Sequence, residues 1–372
     1  MDIEEAISVT EERLSEEGDS MRDLLTNFRD RISKILIGES QWQHILDCAG
    51  QLPIEMGAYP FGFELPLHEP LPDADFGASL ASRSRAASRF LDGQRTDQTD
   101  WTAKFVASLF KKMDSPAASL REIVGRKLML EYDIGSARLG QRLEPGLFLR
   151  PNEHPIVGDA GQVRDVRTVV DALVSSVDWE RNDQERANVD RVYREQPEDT
   201  RIDSFGVFPS RSRSIRLAVM GFKTQDQVGE YLKAIEWPGH PSAVQSVLAR
   251  FSERTSVSRI GMNVDVRESG VGPKLGLVLI VKQRYTKDSR YWLDGLTDWD
   301  PFLNALDQEE IVRPEKLKEL KRWVSKPEIL FAKTGRFVLM RGIHHIKLVV
   351  TSDRLMHAKA YIYLILSGAL RL

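Results

Sequence analysis

Apolar residues recur at two periods along this chain, and each predicts a different element. Steps of three and four mark amphipathic helices, and steps of two mark half-buried strands. In the segment Asp2 to Leu36, Ile7, Leu14, Met21, Leu24, Leu25, Phe28 and Ile32 keep the helical step. Gly18-Asp19 breaks that run into two helices, with Asp19 or Ser20 as a cap. GAYPFGFELPLHEPLPD, Gly57 to Asp73, alternates Phe61, Phe63, Leu65 and Leu67 between prolines, which predicts an edge strand. Asp73 to Asp100 is rich in Ser, Ala, Arg, Gly and Asp, and its first part reads as a mobile loop. WTAKFVASLFKKM, Trp101 to Met113, returns to the helical step.

Beyond this point the pattern repeats at an offset close to 132 residues. KLMLEYDI at Lys127 lies over RIGMNVDV at Arg259, and GLFL at Gly146 over GLVL at Gly276. Ala172-Leu173 lies over Ala305-Leu306, and SIRLAV at Ser214 over HIKLVV at His345. The first unit reads as the helix Trp101 to Met113, strands Arg126 to Ile134 and Gly146 to Pro151, a helix Val163 to Val174 and a strand Ser214 to Gly221. In the second unit the helix Ser242 to Arg254 precedes strands Ser258 to Glu268 and Lys274 to Lys282. Helices Asp300 to Gln308 and Pro314 to Ser325 follow, then the final strands. A helix Gln225 to Ile235 ends at WPGHP, where Pro238, Gly239 and Pro241 free the chain to turn. That junction divides the chain into an N-terminal half, residues 1–237, and a second unit, residues 238–372. Trp179 to Asp203 has too little apolar content to be ordered by burial and reads as an exposed, partly helical insertion. Short paired strands with helices between the pairs predict an α+β fold: two pseudo-repeated units of antiparallel strands covered by helices, after a helical N-terminal segment.

Composition narrows the classes. The chain of 372 residues, 41% hydrophobic and 29% charged, has ample material for a core. Cys48 is the single cysteine, so no internal disulfide or multi-cysteine zinc site can form. The acidic start MDIEEAISVTEERLSEE has no basic, apolar leader, and the longest apolar runs, such as Ala360 to Leu366, are too short to span a bilayer. A cytoplasmic protein with no membrane contact is the expectation. A net charge of -3 gives no electrostatic ground for nucleic-acid binding.

Candidate chemistry concentrates in a few places. RSRSIR places Arg211, Arg213 and Arg216 before an apolar strand, either as a phosphate or carboxylate site or as a solvated strand entrance. Lys359, Tyr361 and Tyr363 share one face of an extended strand, and Lys347 reaches it from a neighbouring strand if register permits; turned inward, these make a diphosphate or carboxylate cradle. Glu131 and Asp133 also share a face, and burial together would raise the proton affinity of one. His344 and His345 are adjacent and, on a regular strand, point to opposite faces, which disfavours a shared metal. His44 and Cys48 stand one helical turn apart, although a buried structural cysteine is the commoner arrangement. P-loop, dinucleotide, nucleophile-elbow and zinc-hydrolase motifs are absent. No cofactor and no metal are expected.

KLMLEYDI with GLFLRP, and GIHHIKLVV with AKAYIYL, resemble strand motifs of bacterial proteins from pathways for ribosomally made, modified peptides, of which the crocagin-type peptide-binding proteins are the nearest named family. Met129 stands where that pattern has tryptophan. The resemblance implies a non-catalytic accessory protein that binds a precursor peptide, or a tailoring enzyme of the same pathway, by strand addition to an open sheet edge. Arg211, Arg213, Arg216 and Lys347 would meet an acidic leader, with Lys359 and Tyr361 completing the candidate site. The rival reading is an aromatic-prenyltransferase-like barrel, in which Lys347, Lys359, Tyr361 and Arg216 hold an allylic diphosphate and Glu64 acts as base.

Overall fold

The computed structural model describes residues 2–92, 101–115, 119–135, 144–152, 155–158, 161–255, 257–281 and 299–369. Groups of helices alternate with strand pairs. Helices α1 (Ile3–Ser15), α2 (Met21–Thr26) and α3 (Glu39–Ala49) precede strands β1 (Phe61–Pro66) and β2 (Asp75–Ala81). Helices α4 (Arg85–Leu91), α5 (Trp101–Met113) and α6 (Leu120–Val124) precede β3 (Lys127–Tyr132) and β4 (Gly146–Leu149). After the short β5 (Ile156–Val157), α7 (Val163–Ser176) and α8 (Asp183–Arg194) lead to β6 (Arg201–Val207) and β7 (Ile215–Phe222). Helices α9 (Gln225–Ala234) and α10 (Pro241–Arg254) lead to β8 (Val257–Arg267) and β9 (Gly270–Val281). Last come α11 (Asp300–Gln308), α12 (Pro314–Trp323), β10 (Glu328–Ala332), β11 (Gly335–Thr351) and β12 (Arg354–Ser367).

Among the described residues, ten of these strands close into an antiparallel barrel in the order β11-β12-β1-β2-β3-β4-β6-β7-β8-β9. The ring is sealed where β9 pairs with β11, from Ile346 opposite Leu279 to Thr351 opposite Lys274. β5 pairs with β6 and β10 with β11, both outside the ring. The fold is therefore α+β with a single closed sheet. The sheet runs across residue 238, since β7 pairs with β8 and β12 with β1.

Alternation sets the two faces of the wall. Phe63, Phe76 and Tyr132 point outward beneath α3, where Trp42, Phe63, Phe76 and Tyr132 follow one another at ring-centroid distances of 6.0, 5.8 and 6.4 Å. Helices α5 and α7 present Phe105, Val106, Leu109, Val166, Val169, Val170 and Leu173 to the same core layer, at the three-and-four step read from the sequence. The hydrophobic core thus lies between the barrel wall and the helices, and the lumen is left to the other face of each strand.

Three expectations are corrected here, and a fourth is not confirmed. β1 is not an edge strand, because β12 and β2 flank it on both sides. The supposed loop after Asp73 contains β2 and α4; small residues in DFGASLA disguised an alternation of Phe76, Ala78 and Leu80, all buried. Residues 93–100 of that stretch lie outside the described residues. The stretch Trp179 to Asp203 is not an exposed insertion, because it supplies α8 and the start of a barrel strand. Val189, Val192 and Tyr193 enter the core, and polar partners complete the burial: Glu185 takes Arg213, Asp190 takes Arg167, and Asn188 donates to the carbonyls of Arg267 and Glu268. The 132-residue correspondence is not reproduced by strand pairing, since β11 bonds directly to β9 while β6 separates β7 from β4.

Candidate functional site

Cross-strand register decides which side chains share the lumen. Glu64 of β1 sits opposite Tyr361 of β12 on one side and Asp75 of β2 on the other. Lys347 of β11 sits opposite Lys359 of β12. Arg216 of β7 sits opposite Asp265 of β8. All project away from the helical layer, into the barrel. Five of the six expected site residues therefore converge: Arg211, Arg216, Lys347, Lys359 and Tyr361.

Glu64, 4% exposed, is the hub of the first cluster. It accepts from Lys347 Nζ at 3.3 Å, from Lys359 Nζ and from the Tyr361 hydroxyl, which itself accepts from Lys347. Burial opposes ionisation of Glu64, but Lys347 and Lys359 outweigh it and hold the carboxyl well below the usual carboxylate range. Lys347, the more buried of the two amines, is pushed down to about 8 by loss of hydration despite Glu64, whereas Lys359 is raised because Glu64 more than offsets burial. The His345 ring stacks on Tyr361, with centroids 4.1 Å apart, and fixes the phenol from its other side.

A second cluster lines the adjoining wall. Arg211 reaches in from the β6–β7 loop, donating from Nε to Asp133 Oδ2 at 2.7 Å and from Nη2 to Asp133 Oδ1 and to Glu131 Oε1. Glu131 and Asp133 are thus a buried pair clamped by one guanidinium; burial, then the charge of Glu64, raises the Glu131 carboxyl. Arg216 grips Asp265 through both nitrogens, at 2.7 and 2.9 Å. Both guanidinium groups lie over Phe208, 3.7 and 4.7 Å from its ring centroid, and Phe208 meets Phe148 edge-on at 5.0 Å. Glycine is required at 146 because a Cβ there would come within 2.6 Å of the Phe208 ring.

Asp75 is the lumen group that the sequence reading missed. Its Oδ1 accepts from the backbone N–H of Ile134 at 3.0 Å and of Gly135 at 3.4 Å. Burial first, then the charges of Glu64 and Asp133, push its carboxyl up to about 7. The signal was present, since Asp75, Gly77 and Ser79 occupy the face of β2 opposite Phe76, Ala78 and Leu80. Lys347, Lys359, Arg211 and Arg216 thus face Glu64, Glu131, Asp133, Asp265 and a carboxyl at Asp75 that can exist neutral near pH 7. Met220 and Val278 pack together on the inner wall, and Met129, also inward by register, keeps 38% of its surface open. A charged zone and an apolar zone therefore share one chamber.

Two histidine pairs complete it. His344 and His345 do not point apart as a regular strand would require: a β-bulge between Ile343 and His345 turns both rings together, Nδ1 to Nδ1 at 2.7 Å. Partial loss of hydration inside the barrel, then Arg150 from the opposite wall, lowers His344, which keeps an open surface, and burial with its neighbour lowers His345 well below the usual range. His68 and His357 stack at 4.1 Å, with His357 pushed down to about 3 by burial, then by His68. Among the described residues, no three of His, Cys, Asp and Glu converge as a metal site.

Arg213 is not part of this chamber. It pairs with Glu185 at 2.8 Å, over Trp179, in an outer cleft of about 520 Å³ also lined by Arg181, Asn182 and Arg267. Arg211, Arg216 and Lys347 are not at an open edge either: Lys347 lies in the β9–β11 seam, β6 and β8 flank Arg216 on β7, and Arg211 lies in the β6–β7 loop. Cys48 is fully buried, and burial pushes its thiol far above the usual value, which removes the Cys48 and His44 pair as a nucleophile. Cys48 is expected not to react with a thiol-labelling disulfide reagent in native buffer and to react fully in urea; labelling of the native protein would contradict this burial.

No protein-family model and no curated protein matches the chain. Among the described residues, no helix is long and apolar enough to cross a membrane.

Proposed function

We propose that the lumen is an active site of the aromatic-prenyltransferase type, which binds an allylic diphosphate and transfers its prenyl group to an aromatic acceptor. One observation carries this reading: the β9–β11 pairing seals a ring whose inner face gathers Lys347, Lys359 and Tyr361 around Glu64, with Arg216 held by Asp265 on the adjoining wall. The alternation of helix groups with five barrel strand pairs supports it, because such a barrel needs more repeats than the two legible in the sequence. The lysines and Arg216 would meet the diphosphate. Phe148 and Tyr363 bring further aromatic rings to the inner face, where an allylic cation would be stabilised.

In the transfer step the C–O bond of the allylic diphosphate breaks and the diphosphate leaves with the electron pair. The aromatic carbon forms a bond to the allylic carbon, and a base removes the ring proton. Glu64, pinned by two lysines, is a weak base, and its carboxylate serves to order those amines. Asp75 beside it, titrating at about 7, has the proton affinity the step needs. In this reading Asp75 takes the role first given to Glu64.

Dimethylallyl or geranyl diphosphate is expected to raise the unfolding temperature by about 3 °C or more at millimolar concentration, with a smaller rise from inorganic phosphate. Lys347→Met with Lys359→Met removes the rise. No protection, or equal protection by inorganic phosphate, would overturn the reading. The non-catalytic, peptide-binding reading keeps one observation in its favour, an open strand edge remote from the lumen.

A further inference from the structure

Sealing the barrel leaves β10 outside it. Among the described residues, β10 pairs with β11 alone, so its other edge presents unpaired backbone N–H and C=O groups. Edges kept inert carry charges or bulges, yet β10 exposes Phe331 at 86% and Ile329 at 42% on one face. A phenyl ring so exposed at an unpaired edge is the mark of a surface that meets something.

The charges around that edge indicate what it meets. Lys326, Lys333 and Arg336 flank it and are exposed. The neighbouring acids are already engaged: Glu328 pairs with Arg341 at 2.9 Å and with Arg31 at 3.6 Å, and Glu17 accepts from the backbone N–H groups of Lys333 and Thr334. Arg13 bonds the carbonyls of Thr334 and Arg336 and holds the β10–β11 turn in place. The edge is thus rigid, apolar along its middle and net positive at its borders. We infer that the outer edge of β10 is a strand-addition site for an extended partner peptide, with apolar residues seated on Ile329 and Phe331 and acidic residues at its flanks.

The site is tested with two labelled probes, acetyl-DEVFVED-amide and acetyl-KKVFVKK-amide, and with the first probe N-methylated at alternate residues, by fluorescence anisotropy on the full chain. The acidic probe is expected to bind in the micromolar range at low salt, about tenfold or more tighter than the basic probe, and to weaken as salt rises. N-methylation removes binding because it removes the backbone bonds. Phe331→Glu, at a position too exposed to disturb folding, lowers the affinity about tenfold or more. Three outcomes overturn the proposal: no saturable binding of the acidic probe, equal affinity for both charges, or retention of binding by the methylated probe. A dimer of the chain that Phe331→Glu dissolves also overturns it, since the occupant is then a second copy.

Discussion

Glu64→Leu is expected to destabilise the protein by about 3–5 kcal/mol at pH 7, read from urea unfolding. The carboxylate is 4% exposed and holds two amines, Lys347 and Lys359, so its removal strands both inside the barrel. The pH dependence separates this cause from simple loss of packing. Lys347 is already pushed down to about 8 with Glu64 in place, and without that carboxylate the largest force opposing its desolvation is gone, leaving the weaker pull of Glu131. Raising the pH from 7 to 9.5 lets the stranded amine lose its proton, and the deficit should shrink by at least about 1 kcal/mol. A deficit unchanged across that range would mean that the lysines relocate to solvent, and the lumen cluster would lose its claim to a fixed geometry.

Asp75→Asn works in the opposite direction. The folded carboxyl titrates at about 7, above the unfolded value of about 3.9. Its contribution to stability is therefore fully present below pH ~4 and lost as pH rises through 7, where the folded chain must hold a charge that burial, Glu64 and Asp133 all oppose. The asparagine oxygen can still accept from Ile134 and Gly135, so the variant is expected to gain about 2–4 kcal/mol over the parent at pH 8 and to match it near pH 4.5. Urea unfolding at those two values decides the matter; a gain equal at both would show that Asp75 is ionised throughout. The same variant, if the lumen transfers a prenyl group, should bind the diphosphate normally and lose turnover.

The α+β class and most helices were legible because their apolar residues keep one period over three turns, as in Trp101–Met113 and Val163–Ser176. The face of Lys359, Tyr361 and Tyr363 was legible for the same reason at period two. What failed had a physical cause in each case. β2 is built of small residues that carry little apolar signal, so Asp75 went unnoticed with it. Helix α8 buries only Val189, Val192 and Tyr193 as apolar residues, too few to stand out, and the ion pairs of Glu185 and Asp190 that complete its burial leave no hydropathy pattern. The bulge that joins His344 to His345 is a backbone event between residues that look regular in sequence. Closure of the ring depends on Ile346 meeting Leu279, a pairing between similar apolar strands that local periodicity cannot choose.

The seam between β1 and β12, where Phe61 meets Leu364 and Pro66 meets Lys359, bears on how the molecule is made. An emerging polypeptide can order its early helices and adjacent hairpins, but Phe61 waits for Leu364, a partner translated long after it. Until then the unfinished wall offers two raw borders to any passing strand, and Glu64 has neither of its amines. Slow folding is the corollary, because so many of the decisive contacts join distant parts of the message.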